Sequence, residues 1–157
     1  VSPMERCRET AELLFGDCEQ HMIPEFREMD FGLFEGKNYQ DLRGNAQYQA
    51  WIDSNGTLPF PKGESREDFI ARCRRGFEEM LRIVTAEGIS RNEERKNIAA
   101  VVHGGTIMAV CSSFTDGEYF DFQIGNGEGY RCKVTVGQPS GEIQINELCK
   151  LIKYEEC

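Results

Sequence analysis

An α/β fold with a mixed sheet is what this sequence predicts, on three observations. Residues 97–102 contain the uninterrupted apolar run Ile-Ala-Ala-Val-Val, which breaks at His103-Gly104-Gly105. That pattern suits a strand buried on both faces that feeds a helix. Two segments, one behind Ser2 and one behind Ser65, carry apolar residues at helical spacing after a capping residue. Residues 130–136 and 142–152 read as strands joined by a turn over 138–141, an antiparallel hairpin. Helices and strands are mixed along the chain, an order that places it in the α/β class with a mixed sheet.

Taken in order, the first helix is predicted from Ser2 as cap, Pro3 at the first helical position and Glu5 completing a capping box. It should run to about residue 15, with Met4, Ala11, Leu14 and Phe15 as its apolar side. Residues 23–36 read as irregular, with turns at Pro24, Gly32 and Gly36. Residues 39–53 predict a helix carrying Leu42, Tyr48 and Trp51, and 58–63 a Pro/Gly surface loop. Ser65 then caps a long helix, with Asp68 near its positive end and Phe69, Cys73, Phe77, Met80 and Val84 on one face. Gly88 should end it. Residues 106–112 form a further helix, and the Gly-rich 125–129 precedes the hairpin. No repeat or low-complexity tract occurs.

Composition narrows the function classes. A chain of 157 residues is one domain by default, residues 1–157. Its net charge of −9 repels a nucleic-acid backbone, so nucleic acid is excluded as a partner. No apolar run is long enough to span a bilayer, and the first eight residues lack the layout of a signal peptide. The expectation is a cytoplasmic protein with no membrane partner. Seven scattered cysteines show neither zinc nor thioredoxin spacing, and read as reduced thiols, with Cys73 and Cys111 buried.

Three segments carry chemistry. His103-Gly104-Gly105 lies at the carboxyl end of a predicted strand, where ligands bind in open α/β sheets. The glycines let a ligand approach the backbone, and the helix start offers N–H groups to an anion. Arg6 lies in the first turn of the first helix, where the dipole repels a cation; a phosphate clamp is a better use for it there. Its alternative is a solvated charge paired, like Arg8, with Glu5 or Glu9. Glu28 sits among apolar neighbours near two glycines, a setting in which a carboxyl can transfer protons. Asp30 and Glu35 compete with it for that role.

Together these segments resemble the histidine phosphatase superfamily, the phosphoglycerate-mutase-like fold, and most resemble its small phosphatases of the α-ribazole-phosphatase kind. Residues 2–11 are similar to a Ser-Pro-x-x-Arg-x-x-x-Thr-Ala segment of that family, and 27–36 to an (Arg/Asn)-Glu-x-x-(Phe/Tyr)-Gly-x-x-Glu-Gly segment. Gly63-Glu64-Ser65 before a long helix and His103-Gly104-Gly105 after an apolar strand complete four motifs in register. The resemblance extends to about residue 136. It implies a three-layer α/β/α domain with a mostly parallel mixed sheet. It further implies that Arg6 clamps phosphate, that Glu28 donates and accepts the proton, and that His103 holds the phosphoryl group. Gly104 would lend its backbone N–H to that group. Ser2, Glu64 and Ser65 would lie close behind, although helix capping accounts for Glu64 and Ser65 almost as well. The implied substrate is a small phosphorylated metabolite, and no cofactor or metal is implied, because side chains supply the positive charge. His21 belongs to none of these motifs and reads as a surface residue.

One motif of the resembled family has no counterpart: no Arg-His-Gly, which carries the family's nucleophilic histidine, occurs in the sequence. In the family it lies on a central strand ahead of the Ser-Pro helix, so the expectation is a partial domain, N-terminally truncated and missing its first central strand. As given, the chain should then be inactive or nearly so. The alternative reading is a non-catalytic phosphate-binding or protein-interaction pseudophosphatase; a phosphoglycerate mutase is disfavoured by the short length.

Overall fold

A computed structural model describes residues 1–86, 97–137 and 140–152. Helices α1 (Glu5–Phe15), α2 (Tyr39–Leu42), α3 (Ala46–Asp53), α4 (Arg66–Ala86) and α5 (Gly104–Phe114) are followed by strands β1 (Gly129–Val136) and β2 (Ile143–Leu151). Short 3-10 turns occur at Pro24–Phe26, Gly32–Phe34 and Tyr119–Phe122. The expected helix end at Gly88 and residues 138 and 139 of the hairpin turn lie outside the described residues. Among the described residues no helix is long and apolar enough to cross a membrane.

Ser2 does not cap α1, contrary to the capping box read from the sequence. Met4 is the N-cap residue, without a side-chain cap bond. Ser2 is fully buried and its hydroxyl turns to His103 instead. The apolar face also differs: Cys7 and Ala11 are buried, while Leu14 is 66% exposed and Phe15 43%. The helix drawn over 39–53 breaks in two at Gly44, whose φ of +80° lies in the left-handed region that only glycine enters cheaply. Asn45 restarts it as α3, its side chain accepting from the Gln47 and Tyr48 N–H groups.

Helix α4 organises the core. Phe69, Cys73 and Phe77 recur every fourth residue, and this stripe packs with Ala109 and Val110 of α5, Ile23 and Phe26 of the loop, and Ile145 of β2. Gly76 allows the close approach of the loop, since a Cβ there would lie 2.7 Å from the Glu25 Cβ. A second cluster of Phe34, Leu42 and Phe60, with Tyr48 and Trp51 against it, closes the segment before α4.

The sheet formed by described residues is the antiparallel pair β1–β2, with Val134 opposite Ile145 and a register shift between Arg131 and Lys133. Residues 97–102, expected as a strand buried on both faces, form no ladder with described residues, and Ile98 is 46% exposed. A backbone bond from Ser2 N–H to the Val101 carbonyl, 3.0 Å long, links the segment to the first residues. An apolar run is buried only where layers cover it. Here residues 97–100 are exposed, Val101 and Val102 are half-buried with Val102 against the main core, and burial is complete at His103, 5% exposed under α1 and the Glu28 loop.

Candidate active site

Three segments distant in sequence meet at the N-terminus of α5. His103 is the N-cap residue of that helix, with extended backbone (φ −90°, ψ 157°), so its ring leaves the helix axis and faces α1. Arg6 Nη2 donates to His103 Nδ1 at 3.0 Å. Glu28 Oε2 lies 3.4 Å from the same Nδ1 and 3.6 Å from Arg6 Nη2. On the far side of the ring, Nε2 and the Ser2 hydroxyl are 2.8 Å apart. The Cys7 sulfur lies 3.7 to 3.8 Å from both ring nitrogens. Arg6 and Glu28 are open to solvent on their outer sides (side chains 57% and 27% exposed), whereas His103 is buried beneath them.

The contacts define the tautomer. A guanidinium only donates, so Nδ1 is the acceptor and the ring proton sits on Nε2, donating to Ser2. Burial pushes the His103 pKa below its ordinary 6.5; the Glu28 carboxylate opposes this, and Arg6 and Arg72 add to it. The neutral ring therefore belongs to the folded state. Below pH 6.5 the unfolded chain binds a proton that the folded chain refuses, so this contribution to stability is complete above 6.5 and declines as pH falls towards the lower folded value. Between pH 7.5 and 5.5 the urea midpoint should fall, and His103→Gln should flatten that slope; parallel slopes in the two proteins would contradict the assignment. Ser2→Ala strands the Nε2–H in a buried site and should cost about 1–3 kcal/mol, read from urea unfolding.

The loop carrying Glu28 is held from α4. Arg72, 9% exposed, reaches the Glu64 carboxylate and the carbonyls of Glu25, Arg27 and Glu28. Gly32 and Gly63 pack against each other, and a Cβ on Gly63 would meet the Asp30 carbonyl oxygen at 2.5 Å. Gly105 fits under the site because a Cβ there would lie 3.3 Å from the Phe69 ring and 3.4 Å from Glu28 Oε1. Gly104, by contrast, has open space in front of it. The first-turn N–H groups of α5 have no acceptor within their own helix and suit an anion.

The competing carboxylates separate cleanly. Asp30 Oδ1 accepts from Gly32 N–H at 2.8 Å and Glu35 Oε1 from Phe31 N–H at 3.0 Å, so both shape turns while Glu28 faces the histidine. Ser65 caps α4, accepting from Asp68 N–H at 3.0 Å. Glu64 pairs with Arg72. His21 is half-buried, and its backbone carbonyl accepts from the Val1 amine at 2.6 Å. Cys73 and Cys111 are buried as expected, and burial pushes their thiols up to about 12 and about 11. Among the described residues no group of His, Cys, Asp and Glu could hold a metal ion. Sequence reasoning missed Arg72 and Cys7. For Arg72 a signal existed: it lies three residues after Phe69 and one before Cys73, on the apolar stripe, where a lone cation is out of place.

Residues 1–143 match the model of the histidine phosphatase superfamily (branch 1), and the chain belongs to that superfamily. Its fold is α/β and phosphoglycerate-mutase-like. Over 115 residues it is 30% identical to a broad-specificity phosphatase of Saccharomyces cerevisiae, covering 69% of this chain and 45% of that protein. It is 37% identical over 79 residues to the adenosylcobalamin/alpha-ribazole phosphatase of Salmonella typhimurium, covering 47% of this chain and 39% of the relative. Both matches thus span less than half of the curated relatives' length. The native structure of a mycobacterial glucosyl-3-phosphoglycerate phosphatase superposes with a TM-score of 0.72 at 22% identity, covering 94% of this chain and 73% of that one.

Proposed function

We propose that Arg6, Glu28 and His103 form the phosphoryl-binding and proton-transfer part of a phosphomonoester hydrolase that works through a phosphohistidine on small phosphorylated metabolites. The observation that carries this is the convergence of a guanidinium, a carboxyl and an imidazole, from positions up to 97 residues apart, within 3.6 Å of one another. Arg6 presents a planar fork to two phosphoryl oxygens, and the α5 N-terminus with Gly104 adds backbone donors. His103 can donate from Nδ1 once a phosphoryl dianion replaces the carboxylate and arginine as its neighbour. Glu28 is placed to protonate the leaving oxygen and then to activate water.

The nucleophile of this chemistry is the histidine of an Arg-His-Gly motif, which these 157 residues do not contain. Taken alone, they bind a phosphoryl group without turning it over. The second reading is a phosphate-ligand-binding pseudophosphatase. Both readings require inorganic phosphate to bind at Arg6 and His103, followed by the shift of the His103 Cε1–H resonance during titration. They part on turnover: a form of the protein that includes an Arg-His-Gly strand hydrolyses p-nitrophenyl phosphate in the first reading and does not in the second. A resonance unmoved by phosphate counts against both.

A further inference from the structure

We infer that Arg72 is a positioning residue for the Glu28 carboxyl, acting through the backbone of the loop that carries it and anchored by Glu64. The inference rests on reading Glu28 as the proton-transfer group of the phosphoryl pocket. Arg72 never touches that carboxylate. Its contacts are with the main chain that presents it.

All five N–H groups of the Arg72 guanidinium are engaged. Nε and Nη2 fork onto the two oxygens of Glu64 at 2.9 and 2.6 Å. Nη1 donates to the Glu25 and Arg27 carbonyls at 2.5 and 3.0 Å, and Nη2 reaches the Glu28 carbonyl at 3.4 Å. Three carbonyls within four residues of an irregular loop are thereby satisfied by one rigid plane. Glu64 holds the loop just beyond: its own N–H donates to the Asp30 carbonyl at 2.9 Å, and its carboxylate accepts from Asp30 N–H at 3.5 Å. Glu28 is clamped on both sides, and its Oε1 is fixed further by Met29 N–H at 3.1 Å.

Burial alone would lower the Arg72 pKa, but the Glu64 bond and charge more than offset it and the net shift is upward, so the guanidinium keeps its charge and its five donors. Stability alone is a poor reason for such a pair, because apolar residues of like volume commonly do as well as a buried ion pair. What an apolar pair cannot do is dictate where three carbonyls lie. Lysine cannot do so either, having three donors on a flexible stem in place of a planar fork.

The test reads His103, which is faced by Glu28, Arg6, Cys7 and Ser2 and feels Arg72 at longer range. Arg72→Lys preserves the positive charge; any change in its direct effect on His103 appears equally with and without the Glu28 carboxylate, whereas an effect through Glu28 needs that carboxylate. Following the Cε1–H resonance by NMR, Arg72→Lys should lower that midpoint, because the carboxylate that raises it is displaced. In a Glu28→Gln background the same substitution should leave the midpoint where Glu28→Gln alone puts it. An equal shift in both backgrounds, or none in either, overturns the proposal. Should Arg72→Lys not fold, Glu64→Gln keeps the guanidinium, loosens its anchor and is judged by the same criterion; if that variant also unfolds, the pair is merely structural and the proposal fails. The phosphoryl-pocket reading fails separately, when inorganic phosphate leaves the wild-type His103 resonance unmoved.

Discussion

No release of phosphate from p-nitrophenyl phosphate is the expected result for these 157 residues assayed alone. On the proposed reading, Arg6, Glu28 and His103 are the electrostatic and proton-transfer groups of a two-step phosphoryl transfer, and the Arg-His-Gly histidine that would attack does not occur in these residues. Such groups act as a unit, and loss of a nucleophile costs on the order of 10⁶ in rate, which places turnover below detection. His103 does not substitute for it. Its Nε2–H is committed to Ser2, and its Nδ1 lone pair is occupied by Arg6. Cys7 is no better placed: it is 5% exposed, and burial pushes its thiol above the ordinary value. Phosphate release accompanied by a trapped phosphohistidine or phosphocysteine would contradict this.

Binding should survive where turnover does not. Arg6→Ala removes two charge-assisted hydrogen bonds to a phosphoryl dianion, each worth about 1.5–3 kcal/mol, so affinity for inorganic phosphate should fall by roughly 100-fold or more. The binding has a pH signature. An anion that accepts from Nδ1 favours protonated His103, whereas the empty site favours the neutral ring. Binding of sulfate, which stays a dianion throughout this range, therefore takes up a proton, and its affinity should rise as pH falls from 7.5 towards 6.5. His103→Gln should abolish that rise. Calorimetric titration in buffers of different ionisation enthalpy measures the proton uptake directly, and uptake that persists in His103→Gln would place the coupled group elsewhere.

Much of the site was legible before any coordinates, for physical reasons that also explain the failures. His103-Gly104-Gly105 after an apolar run, and a cation in the wrong end of a helix at Arg6, are local anomalies, and local anomalies show in sequence. The choice of Glu28 over Asp30 and Glu35 was not a local matter. All three carboxylates lie in one loop, and only the turn geometry that engages Asp30 with Gly32 and Glu35 with Phe31 leaves Glu28 for the histidine. Ser2 shows the opposite failure. Its sequence context is that of a helix cap, yet tertiary contact with His103 outweighs a cap worth about 1 kcal/mol. Arg72 stood out as a cation on an apolar stripe, but its role did not, because its five acceptors come from two separate stretches of chain, 25–28 and Glu64, that no spacing rule connects.

The strand expected at 97–102 makes a related point. An apolar run states what a segment can tolerate, namely burial, and says nothing about whether cover is present. Here Ile98 is 46% exposed while His103, a few residues on, is buried. The position of His103 is set by α1 and the Glu28 loop on one side and by α5 on the other, so the pocket forms even where the neighbouring run is open.

A crystal of this chain soaked with tungstate, an electron-dense phosphate mimic, tests the shared oxyanion site most directly. The expected density sits in front of Gly104, with oxygens within hydrogen-bonding distance of the Arg6 guanidinium and His103 Nδ1, and with the Glu28 carboxyl beside it. Tungstate bound elsewhere, or these three side chains found apart from one another, would contradict the account.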